Sequence, residues 1–279
     1  MTELFLSVFV LAQSGIVMHQ FRLAIATRCF NQPLAASIKS AAELAVKGVQ
    51  FDLRQEVVGD QLSSTGRRDL LHQISEYGLT ISGASYPLNH PLYESDKIDV
   101  RIAAIREAMK FAYSLKATTL CFRVGRIPED PESKDRQLLI EVLSDLARYS
   151  NHVGTVLAIT PTNDSSEAVR TLLDEIKTGP IGVDFDPAQF AMTGRSVTDG
   201  LRLLHDLIMH MQLRDGSHGI EGGQEEIVGY GNVDWVEVLA LLGEMDYRGW
   251  LTAIRTRGTD RAVDLARGLK LVKQILIGG

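Results

Sequence analysis

From residue 21 onward two patterns alternate along the chain. Short apolar runs read as buried strands, and longer stretches with apolar residues at every third or fourth position read as helices packed on them. The runs at 22–26, 49–53, 79–84, 118–124, 155–159, 181–186, 208–213 and 250–254 predict eight strands. Between them the spacing predicts helices over 34–45, 64–77, 96–115, 133–149, 165–177, 196–204, from 234, and over 260–277. Pro33 suits the opening turn of the first helix, and Gly48 and Gly78 suit its end and that of the second. Ser165 can cap a helix, and Asp234 with Glu237 has capping-box spacing. Connections of this length are what parallel strands need, and eight such units close into an α/β barrel. A doubly wound open sheet is the alternative. It is the weaker one, because no Gly-x-Gly-x-x-Gly follows the first strand.

The sixth run ends in carboxylates. Ile181, Val183 and Phe185 alternate with Gly182, Asp184 and Asp186, and Pro187 ends the ladder. Asp184 and Asp186 therefore share one face. Buried carboxylates at a strand end are costly unless paired, so either a ligand pocket or a buried ion pair is expected there.

Composition narrows the class. The 279 residues are 45% hydrophobic and 23% charged, which suits one large domain. A net charge of −6 gives no basic footprint, so no nucleic-acid partner is expected. Cys29 and Cys121 lie far apart and form no framework, which makes a reducing cytoplasm the default and packing their expected role. The apolar stretch at 4–17 is interrupted and short for a bilayer, and the first basic residue, Arg22, comes after it, against a secretory signal. The expected division is an extension at 1–20, with Met18 an alternative start and export a minor alternative, then a barrel over 21–279. No membrane partner is expected.

In such a barrel the site lies at the C-terminal strand ends. The polar residues there are Thr27, Arg28, Asp52, Arg54, Ser85, Arg123, Thr160, Asp186, Gln189, Gln212, Arg214, Asp215 and Arg255. Four motifs sit among them: Ile159-Thr160-Pro161, Ile181 through Gln189, His210-Met211-Gln212-Leu213-Arg214-Asp215 followed by Gly229-Tyr230-Gly231-Asn232-Val233-Asp234-Trp235, and Tyr247-Arg248-Gly249-Trp250-Leu251-Thr252-Ala253-Ile254-Arg255. They resemble the xylose isomerase-like barrels of sugar phosphate isomerases and epimerases. The resemblance is at motif level from 155 to 255 and by element order over 21–277.

The resemblance implies a divalent metal held by a Glu, an Asp, a His and a Glu on strands five to eight. This chain has Thr160, Asp186, Gln212 and either Ile254 or Arg255 at those positions. The expectation is accordingly no cofactor, with the family's metal lost and its chemistry lost or altered. The ligand is expected to be a sugar or sugar phosphate, contacted by Asp52, Arg54, Arg123, Thr160, Asp186, Gln189, Gln212, Arg214 and Arg255. Catalytic candidates are Asp186, Arg123, Arg255 and His210. Arg123 or Arg255 is expected to contact Asp186 or its polar surroundings in place of the metal, while His210 reads first as a hydrogen-bonded barrel histidine and only second as a catalytic base. Gly229 and Gly231 could cradle a phosphate or serve a tight turn. His90 and His218 sit in loops without a defined role. Two further readings stay open: an active isomerase or epimerase using Arg and His groups or a relocated metal, and a non-catalytic structural or regulatory barrel closed by Arg–Asp pairs. A nuclease of the endonuclease IV type is disfavoured by the missing histidine set and the acidic charge. A homo-oligomer is compatible with all of these.

Overall fold

The computed structural model describes residues 21–220 and 222–278. The extension expected at 1–20 lies outside the described residues. In chain order the elements are β1 (Arg22–Ala26), α1 (Leu34–Glu43), β2 (Gly48–Asp52), α2 (Ser64–Glu76), β3 (Thr80–Ser85), α3 (Ile98–Ser114), β4 (Thr119–Phe122), α4 (Lys134–Val153), β5 (Val156–Ile159), α5 (Ser166–Asp174), β6 (Ile181–Phe185), α6 (Pro187–Met192), α7 (Val197–Leu204), β7 (Ile208–Leu213), β8 (Asp215–Gly219), β9 (Gly222–Glu226), α8 (Trp235–Glu244), β10 (Trp250–Ala253) and α9 (Arg261–Gly278). Strands β1 to β7 and β10 close into a parallel barrel, β1 pairing with both β2 and β10. This is the eight-fold barrel that the alternation predicts. No helix among the described residues is long and apolar enough to cross a membrane.

Local chemistry sets the helix starts. Ser63, Ser133, Ser165 and Ser196 each accept from a backbone N–H in the first turn that follows. Asp234 accepts from the amides of Val236 and Glu237. Each such cap stabilises its helix by about 1 kcal/mol. One expectation fails here. Pro187 ends the strand but also opens α6, because proline at a first helical position forfeits no hydrogen bond and has the right φ. The helix brings Phe190 to stack on Phe185, with ring centroids 4.8 Å apart.

The strands divide their residues between two environments. Val49, Phe51, Val183, Phe185, Met211 and Leu251 are fully buried apolar positions, as are Ile38, Met109, Leu139, Leu143 and Val238 on the helices. Alternate positions, including Gln50, Asp184, His210 and Thr252, meet one another inside the barrel. A register shift between Val183 and Asp184 brings Asp184 level with His210.

The Gly-rich segment after β7 is more ordered than the sequence suggests. It forms the antiparallel hairpin β8–β9. Buried Asp215 holds the rest of it, accepting from the amides of Gly216, Gly229 and Val233 and from Trp235 Nε1. Gly229 has φ +90, and a Cβ on Gly231 would lie 2.1 Å from Asp215 Oδ1. The two glycines thus serve the turn into α8, the second of the readings left open above.

Candidate functional site at the barrel mouth

The polar interior is built in two tiers. The lower tier centres on Asp184. Its Oδ1 lies 2.6 Å from His210 Nδ1, and its Oδ2 accepts from Thr160 Oγ1 and Gln212 Nε2, each at 2.6 Å. On the far side of the imidazole, His210 Nε2 lies 2.7 Å from Thr252 Oγ1 and 3.5 Å from Gln50 Nε2, which is 3.8 Å from Cys121 Sγ. Burial alone would raise the Asp184 pKa. Attraction to the His210 imidazole and the hydrogen bonds from His210, Thr160 and Gln212 outweigh it and hold the carboxyl below its ordinary range.

Asp186 belongs to the upper tier and behaves oppositely. It is 1% exposed, and its Oδ2 accepts from Arg214 Nη1 at 2.6 Å. Burial dominates and raises its pKa, although Arg214 pulls it down. Its Oδ1 is buried without a partner among the described residues. Arg214 Nη2 in turn donates to Glu225 Oε2 at 3.3 Å, and Glu225 accepts from the Thr256 amide at 2.8 Å. Arg255 Nη1 is 3.8 Å from Glu225, and its Nε donates to Asp264 at 2.9 Å. Charges of alternating sign therefore run from Asp186 through Arg214, Glu225 and Arg255 to Asp264, tying the hairpin and α9 to the mouth.

This corrects the expected partner of Asp186. Neither Arg123 nor Arg255 touches it; Arg214 does. Arg255 reaches the cluster only through Glu225. Arg123 is exposed and acts on Asp186 through its charge alone. Counting strand ends from sequence cannot predict this, because the strands of a tilted barrel end at different heights.

The remaining expected residues lie around the rim. Arg28 Nη1 donates to Ser85 Oγ at 2.5 Å, reaching from the end of β1 past β2 to the end of β3. Arg54 is exposed, donates to the Pro87 carbonyl at 2.6 Å and stands over the Tyr86 ring. Asp52 accepts from the amides of Arg54 and Gln55, so it shapes the turn after β2. Gln189 is half-buried on α6. Ile254 packs in the core, 4% exposed, whereas Arg255 faces Asp264. His90 pairs with Glu94 on the surface, and His218 contacts the Met192 carbonyl.

Residues outside the expected set also belong to these networks, among them Gln50, Thr252, Glu225, Glu56, Thr256 and Asp264. Gln50 and Thr252 sit two residues before Asp52 and Ile254, so strand period could have placed them inside. Glu225 carried no signal in its Gly-rich segment. Glu56 accepts from Thr27 Oγ1 and the Asp52 amide, and burial raises its pKa. Cys121 also does more than pack. Its sulfur, a carboxylate oxygen of Asp184 and a ring nitrogen of His210 lie within 4.8 Å of one another, a donor set that could hold a metal ion.

A family model described as a xylose isomerase-like TIM barrel matches residues 38–275. The chain belongs to the xylose isomerase-like TIM barrel family. Three solved structures share that fold. A xylose isomerase domain protein from Planctomyces limnophilus shares 20% identity at a TM-score of 0.77, covering 85% of this chain and 91% of that one. D-Allulose 3-epimerase from Methylomonas sp., solved with D-allulose, shares 18% at 0.73, covering 91% and 96%. A xylose isomerase-like TIM barrel protein from Mycobacterium smegmatis, solved with magnesium, shares 14% at 0.75, covering 93% and 97%. No curated protein matches the chain in sequence. At the four ligand positions that the family resemblance implies, this chain offers a hydroxyl and an amide already donating to Asp184, a carboxylate held by a guanidinium, and either the apolar Ile254 or Arg255, which is paired with Asp264.

Proposed function

We propose that the barrel mouth binds an anionic sugar, a sugar phosphate or sugar acid, and that Arg214 stands where family members hold a divalent metal. The observation that carries this reading is the Asp186–Arg214 pair. A guanidinium 2.6 Å from the strand-six carboxylate supplies fixed positive charge at the inherited position. Thr160 and Gln212 are neutral and already engaged with Asp184, so these residues do not fit a divalent ion there. Arg28, Arg54 and Arg123 on the rim favour a ligand that carries negative charge.

In this reading, Arg214 donates to the oxygens of a bound hydroxy-carbonyl group and stabilises negative charge developing on them. Asp186 Oδ1, buried and unpartnered, is the acceptor for a substrate hydroxyl or a proton next to the carbonyl. Isomerisation or epimerisation is the reaction class these groups can serve.

The alternating ion pairs from Asp186 to Asp264 favour a second reading, a non-catalytic barrel whose mouth they close. Proton NMR in D2O separates the two. Incubation with ketoses, ketose phosphates and sugar acids should show loss of a signal adjacent to the carbonyl of one of them, and the loss should stop in Asp186→Asn. Binding without exchange would favour the non-catalytic barrel. Neither binding nor exchange across all three classes would contradict the proposal.

A further inference from the structure

We propose that the lower tier of the barrel is a zinc site, one layer beneath the position the family uses, with Cys121 Sγ, His210 Nε2 and the side-chain oxygen of Gln50 as ligands. It is independent of the sugar reading of the mouth.

Three observations converge. The first is a cluster of candidate ligands: Cys121 Sγ, a carboxylate oxygen of Asp184 and a ring nitrogen of His210 lie within 4.8 Å of one another, with Asp184 Oδ1 taken up by the imidazole. Thiolate, imidazole and amide oxygen suit a borderline ion such as Zn²⁺ and do not suit Mg²⁺.

The second is the orientation of His210. Asp184 sits 2.6 Å from Nδ1, which places the proton on that nitrogen and directs the Nε2 lone pair to the opposite side. A carboxylate on the far nitrogen is the usual support of a metal-bound histidine. Asp184 is in turn fixed by Thr160 and Gln212, so the imidazole is held from behind.

The third observation points to a missing partner. Gln50 is 2% exposed, and its Oε1 has no hydrogen bond, while its Nε2 lies 3.5 Å from His210 Nε2 and 3.8 Å from Cys121 Sγ. A half-turn of the amide exchanges the two atoms and brings the oxygen between sulfur and imidazole. Zinc bonds of about 2.0–2.3 Å in a tetrahedron separate their ligand atoms by roughly 3.3–3.7 Å, close to the 3.5 and 3.8 Å that the Gln50 amide nitrogen now keeps from the imidazole and the sulfur. The half-turn would also give the orphaned oxygen its partner. Thr252 Oγ1, 2.7 Å from Nε2, would release that nitrogen and stand beside the ion. Binding transfers the Cys121 thiol proton to solvent, and the thiolate with Asp184 balances the two positive charges.

The test uses the full chain. After expression with added zinc, elemental analysis should find close to one equivalent. Exchange into Co²⁺ should give a near-ultraviolet thiolate-to-cobalt band. Cys121→Ser should abolish the band, and Gln50→Leu should weaken zinc binding at least tenfold. Asp186→Asn, one tier higher, should change neither. Gln50→Leu carries the test if Cys121→Ser fails to fold, because it removes the orphaned oxygen and leaves the thiol. Below one tenth of an equivalent in the wild type, a band persisting in Cys121→Ser, unchanged affinity in Gln50→Leu, or metal lost only in Asp186→Asn would each overturn the assignment. Zero metal with intact sugar binding would remove this site and leave the reading of the mouth standing.

Discussion

Replacing Arg214 with methionine removes the cation from Asp186 while keeping similar bulk. The Asp186 carboxylate then has no hydrogen-bond partner among the described residues, since Arg214 supplies its one side-chain contact and Oδ1 has none. Breaking a buried pair by removing one partner costs about 3–5 kcal/mol. At about 2–4 °C per kcal/mol for a chain of this size, the melting temperature should fall by roughly 6–20 °C at neutral pH. Glu225 should add little, because it keeps the Thr256 amide. The pH dependence follows from the direction of the shift. The Asp186 pKa is raised in the folded state by burial, and Arg214 opposes that rise. Stability gained from its proton is full below the unfolded value of about 4 and is lost as pH rises through the folded value. Without Arg214 the folded value climbs further, so the deficit of Arg214→Met should shrink from pH 8 to pH 5. In the Asp186→Asn background the same change should cost much less. Calorimetry on the four proteins at the two pH values makes the comparison. A deficit independent of pH and undiminished in the Asp186→Asn background would refute the pairing argument.

Two other outcomes test the surroundings of the site. Asp215→Asn sets an amide NH2 against both Gly229 N–H and Trp235 Nε1–H, or in the other orientation against Gly216 N–H and Val233 N–H, and should cost about 2–4 kcal/mol, seen as a lower urea midpoint with a red-shifted tryptophan emission. Glu225→Gln should loosen the hairpin, raising amide exchange across Gly222–Glu226 at least tenfold while the exchange of β1 and β7 stays unchanged.

The barrel was legible because every strand run is apolar and bounded. β1 and β7 begin and end where the pattern predicts, and the other strands differ by a residue or more at their ends. α6 escaped notice because Pro187 reads as a terminator in one element and an initiator in the next. The hairpin escaped because its order comes from Asp215 and from Ser217 bonded to Glu226, with no apolar alternation to reveal it. At the site, strand period alone places Asp184 and Asp186 on one face. Which cation meets Asp186 depends on barrel tilt and on the register shift between β6 and β7, and these are properties of the assembled sheet. The opposite pKa shifts of two carboxylates two residues apart arise the same way: three hydrogen-bond donors reach Asp184, and one reaches Asp186.

Whether Arg214 serves at the mouth in place of the inherited divalent metal is tested most directly by isothermal titration. Ketose phosphates and sugar acids are titrated into chelator-dialysed protein, with and without added Mg²⁺ or Mn²⁺. The expected result is saturable binding of at least one of them, the same Kd with or without added metal, and a loss of at least tenfold in Arg214→Met. Binding that appears only after Mg²⁺ or Mn²⁺ is added, and that survives Arg214→Met, would contradict the role proposed for Arg214.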